Sequence, residues 1–212
     1  GPKLSRTRIR KGRDNFMAWI KISTKTTDEN GKVVFDNLPY GNYKIQQTSA
    51  KMGYTPDSAE TSVVIDSTEP KVITKTNVPA ATGTLKVVKY SEGYPDLKLA
   101  GSKFKLMDSE GKIMLSESQA SGADGEIILD NLMAIEGTPQ SYKLVETTAP
   151  IGYNLVTGEQ TGEVTVGATT ELAVANTPTA NGTLNVGLSD ANYSEYALQG
   201  SDYDVYFEVP GV

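Results

Sequence analysis

SYKLVETTAPIGYN, residues 141–154, is the stretch on which the fold is read. Side chains alternate along a β-strand, so Tyr142, Leu144 and Glu146 share one face and Lys143, Val145 and Thr147 the other. The first set is the core face: an aromatic, a leucine and then a carboxylate. The chain turns away directly afterwards, at Thr148-Ala149-Pro150.

The same alternation runs through two other segments. In GTLKVVKY (83–90), Leu85 and Val87 point inward with Lys89, while Lys86, Val88 and Tyr90 point outward. In ELAVANTP (171–178), Leu172 and Val174 point inward with Asn176. Three strands therefore end an apolar row on a polar group that faces the same core.

Composition narrows what such groups can do. The 212 residues suffice for one large β domain or two smaller ones, and 20 Gly with 10 Pro suit a turn-rich globular protein. A net charge of −6 argues against nucleic acid as a partner. No apolar run reaches the length of a membrane span, and any export signal is expected outside this sequence. The chain has no Cys and no His, which removes disulfides, thiol nucleophiles, His-ligated metals and Ser–His triads. Ordinary enzyme chemistry is thereby excluded, and no cofactor or metal is expected.

Internal repetition sets the organisation. NVPAATGTL at 77–85 returns as NTPTANGTL at 176–184, an offset of 99 residues (Asn77 to Asn176). YKIQQTSAKMGYT at 43–55 returns at the same offset as YKLVETTAPIGYN. DENGKVVFDNL (28–38) matches GADGEIILDNL (122–132). The middle copy carries an insertion, MAIEGTPQS (133–141), read as a surface loop. Short alternating strands bounded by Asn-Gly, Asp-Gly and Glu-Gly turns, without helical periodicity, predict tandem antiparallel β-sandwiches of roughly seven strands each. Residues 81–179 form a complete unit, 1–80 a unit lacking its opening strand, and 180–212 only the opening of a third. DSEG, DENG and GADG read as β-turns, not calcium loops.

Burial gives the inward polar groups their chemistry. A desolvated amine is pushed toward its neutral, nucleophilic form, and a desolvated carboxylic acid toward its protonated form. A side-chain amide is an electrophile once its carbonyl is polarised, and a protonated carboxyl between the two can bond that carbonyl and carry protons as ammonia leaves. The expected product is a Lys–Asn isopeptide bond formed once, by the fold itself.

GTLKVVK, LAGSKFKL, ADGEIILDNL, YKLVETTAPIGY and ELAVANTP resemble the collagen-adhesin B-type (CnaB-like) domains of Gram-positive pilins and surface adhesins, and ETTAPIGY resembles the pilin E-box. The resemblance spans 81–179. It implies an immunoglobulin-like or transthyretin-like sandwich with Lys89 as nucleophile, Asn176 as electrophile and Glu146 as catalytic acid/base. It further implies a structural stalk or shaft module on a Gram-positive surface, wall-attached or in a pilus, whose partners are neighbouring domains or other pilus subunits. Two other readings are an adhesive module whose loop 133–141 engages a host matrix protein or carbohydrate, and an accessory domain of a larger secreted enzyme.

The flanking copies depart from the pattern. Gln47 stands where Glu146 does, while Asn77 is retained, so no bond is expected in the first unit because Gln carries no proton. In the third, Leu188 replaces Lys89, a side chain suited to an apolar core. Residues 182–188 of one molecule could complete 4–80 of the next, a head-to-tail association by strand addition. The plainer reading, which we prefer, is a piece of a longer array. Arg6, Arg8 and Arg10 share one face of a basic stretch (3–13), read as solvated. Trp19 and Tyr193, Tyr196, Tyr203 and Tyr206 read as packing residues before sugar contacts.

Overall fold

The computed structural model describes residues 18–208. The basic stretch with Arg6, Arg8 and Arg10 lies outside them. The described residues hold strands and turns but no helix. In chain order the strands are β1 (Gly41–Ile45), β2 (Tyr54–Thr55), β3 (Thr61–Ile65), β4 (Val78–Pro79), β5 (Thr82–Ser91) and β6 (Tyr94–Lys98). They continue as β7 (Lys103–Asp108), β8 (Ile113–Leu115), β9 (Glu126–Met133), β10 (Gln140–Thr148), β11 (Gln160–Val164) and β12 (Thr169–Asn176).

Two compact units divide the described chain, one from 18–43 and 62–71, the other from 44–61 and 72–208. In the first, Lys25 donates to the Val34 carbonyl at 2.8 Å and pairs with Asp36 at 3.3 Å. The turn at Asp28 is held by its own carboxylate, which accepts from the backbone of Asn30 and Lys32. Asp108 holds Glu110 and Lys112 in the same way. DENGK, DSEGK and GADGE close the same backbone turn: the first N–H donates to the fifth carbonyl and the fourth N–H to the first carbonyl. The match of DENGKVVFDNL to GADGEIILDNL holds at the other end too, where Asn37 and Asn131 share a φ of 54°, a left-handed conformation that Asn tolerates.

The second unit contains a sandwich built by β5 to β12, eight strands where about seven are predicted. One sheet runs β12–β5–β6, with β9 also paired to β5; the other runs β11–β10–β7–β8. Pairing is antiparallel except between β5 and β12, which run parallel over Thr84–Ser91 and Thr169–Asn176. Strands separated by a whole domain have the long connection that parallel pairing requires.

The core lies between the sheets. Leu85, Val87, Ile127 and Val174 meet Phe104, Leu106, Leu144 and Val164 in one buried cluster. Tyr142 joins them and donates its hydroxyl to the Met133 carbonyl at 2.6 Å, which ties the core to the start of the insertion. The expected phase of β5 holds for Leu85, Val87 and Lys89. Lys86 faces away, between Glu126 and Glu171, each 3.0 Å distant. Val88 differs: it is buried, but outside the core cluster, so the far face of β5 is also covered there.

After β12 the pattern thins. Residues 181–188 carry no strand, and the segment holds a single bridge, Ser189 to Ala197. Trp19 and the four tyrosines are each more than half exposed, so none belongs to a buried core.

Close approach at one glycine gives a test of the sandwich. A Cβ on Gly83 would lie 2.2 Å from the Thr165 carbonyl oxygen and 2.6 Å from Val164 Cγ1. Because the first of these is backbone, Gly83→Ala should destabilise by about 1–3 kcal/mol in urea unfolding. Gly182→Ala, with open space around it, should stay within about 0.5 kcal/mol of the parent.

Candidate functional site

Each of the three inward polar residues is delivered by a different strand. Lys89 sits where β5 leaves β9 for β6: its N–H donates to the Gly125 carbonyl at 2.9 Å, and its own carbonyl accepts from Leu99 at 3.1 Å. Gly125 has a φ of +74°, and a Cβ there would lie 2.4 Å from the Lys89 oxygen. Only glycine lets the chain pass so close to the lysine backbone.

Asn176 ends β12. Val174 is the register partner of Lys89 and Asn176 that of Ser91, so Lys89 and Asn176 are neighbours on one sheet, two positions out of step. Glu146 comes from the opposite sheet, paired with Phe104 just before the β10–β7 register shifts. Such an irregularity re-aims a side chain at a strand end. All three are sealed: Lys89 and Asn176 are 0% exposed and Glu146 2%.

The Glu146 carboxylate is the hub. Its Oε1 lies 3.1 Å from Lys89 Nζ and accepts from Ser102 Oγ at 3.1 Å. Its Oε2 accepts from the Val156 N–H at 2.7 Å and from Asn176 Nδ2 at 2.8 Å. Nδ2 also donates to the Asn154 carbonyl at 2.8 Å. That carbonyl can only accept, so it fixes which end of the amide faces the carboxylate. Sequence chemistry anticipates Glu146 on the Asn176 carbonyl; the structure puts it on the amide nitrogen.

Two buried side-chain atoms among the described residues lack a hydrogen-bond partner, and both belong here: Lys89 Nζ and Asn176 Oδ1. Nζ pairs with Oε1 by distance but not by hydrogen-bonding angle. It also lies 5.2 Å from the centre of the Phe104 ring. Burial holds the Lys89 amine below the usual lysine range, outweighing the opposing pull of the nearby Glu146 carboxylate.

Ser102, Phe104, Asn154 and Val156 were not singled out by sequence reasoning. The last two act through backbone atoms and depend on a loop. Tyr153 bridges to Pro178, Asn154 N–H donates to Thr177 O at 2.9 Å, and Thr179 N–H donates to Gly152 O at 2.9 Å. The ETTAPIGY loop thereby folds back over the end of β12.

The first copy repeats this loop with different contents. Tyr54 pairs with Pro79, and Ala80 N–H donates to Gly53 O at 2.8 Å. Within it Gln47 and Asn77 exchange amide hydrogen bonds of 2.8 and 2.7 Å. Gln47 Oε1 also accepts from Asp57 N–H at 2.8 Å. The nearby Lys75 is held by Asp57 at 2.8 Å. Leu188 is 37% exposed rather than set in a core, its carbonyl accepting from Leu198.

Comparison with known proteins places this geometry in a family. The model of the SpaA prealbumin-like fold domain matches residues 6–79 and again 83–178. Among solved structures, the Bacillus anthracis TIE protein is 21% identical, with 72% of this chain and 28% of that one covered and a TM-score of 0.41. The group B streptococcus pilus 2b backbone protein is 22% identical over 56% of this chain and 48% of that one, TM-score 0.38. The minor pilin GBS52 of Streptococcus agalactiae is 20% identical over 76% and 69%, TM-score 0.40. The chain thus spans less than half of each of the first two. A search of the curated proteins finds no match. With two matches of its model along most of the sequence, the chain belongs to the SpaA prealbumin-like fold domain family.

Proposed function

We propose that this chain is a structural shaft module of a Gram-positive pilus or surface adhesin, whose middle sandwich, 81–179, is locked by an isopeptide bond between Lys89 and Asn176. The observation that carries the reading is the Glu146 carboxylate, held between a buried amine and a buried amide nitrogen, 3.1 and 2.8 Å away. Family membership supports the structural role, and with it an extracellular place among other subunits or domains.

The chemistry follows from the contacts. Within the ion pair, Lys89 Nζ passes a proton to Glu146, leaving a neutral amine beside a neutral acid. The amine attacks Cγ of Asn176, forming the Nζ–Cγ bond and a tetrahedral centre. The carboxyl group gives Nδ2 the proton it needs to leave, the oxyanion on Oδ1 reforms the carbonyl, and the carboxylate so formed takes the proton that the attacking nitrogen sheds. The Cγ–Nδ2 bond breaks, ammonia departs, and Glu146, a carboxylate in the ion pair, ends as the neutral acid. One amine and one primary amide have become one secondary amide and one ammonia. Its new N–H faces Oε1, which gives the unpartnered Nζ an acceptor.

The first unit holds Gln47 and Asn77 as a satisfied neutral pair with no lysine between them, so it remains uncrosslinked. Intact-mass measurement should find the folded protein lighter than its sequence by one ammonia. Glu146→Ala should have the full sequence mass. An unchanged parent mass would refute the bond, and a loss of two ammonias would refute the assignment of the first unit.

The bond closes a loop from 89 to 176. By analogy with disulfides it should stabilise by about 4–5 kcal/mol, seen as a fall in urea-unfolding stability of Asn176→Ala. In that unreactive variant Lys89 still titrates, with a folded pKa below its unfolded value of 10.5. Between the two, the unfolded chain binds more protons, so stability rises with pH across that window. The rise should vanish in Asn176→Ala/Lys89→Met, compared by urea unfolding at matched pH.

A further inference from the structure

We infer that Ser102 is a positioning residue for isopeptide formation, holding the Glu146 carboxyl so that one oxygen serves the attacking nitrogen and the other the leaving nitrogen. This rests on the proposed Lys89–Asn176 bond and adds a residue to it.

The two oxygens of Glu146 are held differently. Oε2 accepts from two N–H groups, Val156 N and Asn176 Nδ2, and while Asn176 is a planar amide neither can reverse its hydrogen bond. Oε1 has Lys89 Nζ on one side and the Ser102 hydroxyl on the other. A hydroxyl both donates and accepts. Ser102 can donate to Oε1 while the group is a carboxylate and accept from it once Oε1 carries a proton. It is therefore a partner that fits both protonation states of the shuttle. Without it Oε1 keeps only the lysine, and the carboxyl can turn about its terminal bond away from the split between the two nitrogens.

The hydroxyl is itself held in place. Ser102 is 0% exposed and lies immediately before β7. Its N–H donates to Ser121 Oγ at 3.0 Å and its carbonyl accepts from Ser121 N–H at 2.8 Å. Ser121 Oγ donates its own hydroxyl hydrogen to Leu99 O at 2.8 Å. Two buried serines therefore sit side by side with separate tasks. Ser121 braces backbone, and Ser102 alone of the pair reaches Glu146.

That pairing supplies the control. The chains are made by cell-free translation, denatured at timed intervals and weighed intact, so that loss of ammonia is followed from synthesis. Ser102→Ala should crosslink about tenfold to a hundredfold more slowly than the parent, as expected for losing a hydrogen bond to a charged group. Ser102→Thr, which keeps the hydroxyl, should recover most of the rate. Ser121→Ala, which removes an equally buried hydroxyl that braces the Ser102 backbone without touching Glu146, should slow the reaction clearly less than Ser102→Ala. Ser102→Ala reacting at the parental rate, or Ser121→Ala slowing as much as Ser102→Ala, would overturn the inference while the bond stands. A parent that loses no ammonia would instead remove the bond on which the inference depends.

Discussion

A lysine and a glutamate 3.1 Å apart, both closed off from solvent, face each other across the sandwich, and the architecture of the middle unit turns on them. Burying a charge pair costs each partner its hydration, and the mutual attraction returns that only when the remaining polar positions are satisfied. Glu146 meets the condition, with Ser102, Val156 and Asn176 filling its oxygens. Lys89 does not, since Nζ finds no well-angled acceptor. The pair is lopsided: a well-held carboxylate beside an amine whose burial favours giving up its proton. Ordinary stability would be served better by apolar side chains of similar size, so a lysine kept here points to chemistry.

The strand order turns that imbalance into a geometry. β5 and β12 run parallel, which sets Lys89 and Asn176 side by side with a two-residue stagger. In an antiparallel pair the lysine at the end of one strand would meet the beginning of the other, not its end. The opposite sheet contributes Glu146 from above, at the point where β10 leaves its regular register. The ETTAPIGY loop then lays Asn154 and Val156 against the amide and the carboxylate. Three segments far apart in sequence thus meet at one carboxylate, so the proposed proton path would form only once the fold is complete.

Much of this was legible, and the limits are physical. Two-residue periodicity placed Lys89, Glu146 and Asn176 on inward faces because burial acts on whole strands. It misplaced Val88, since alternation speaks of one sheet face and not of what covers the other. The motif alignment paired DENG with GADG, and both turns close the same backbone hydrogen bonds; only the capping carboxylate moves, from the first position at Asp28 to the third at Asp124. The orientation of the Asn176 amide was out of reach, because a backbone carbonyl decides it and backbone atoms leave no mark in composition. Ser102 left only a faint one: Gly101-Ser102 recurs as Gly200-Ser201, in a copy where Leu188 stands in place of the lysine.

The two copies also separate what the frame needs from what the proposed reaction needs. Both build the same loop over the end of a strand, with Tyr54 on Pro79 in one and Tyr153 on Pro178 in the other. The first fills it with two amides, and Gln47 and Asn77 satisfy each other without a charge. An amide pair is self-sufficient: each partner supplies one donor and one acceptor, and nothing is left to react. Exchanging one amide for a carboxylate breaks that symmetry, because a carboxylate only accepts and must find further donors. Lysine is the donor that carries both a proton to lend and a nitrogen to attack with. One loop is thus built around a neutral amide pair in the first copy and around a buried lysine–carboxylate pair in the second.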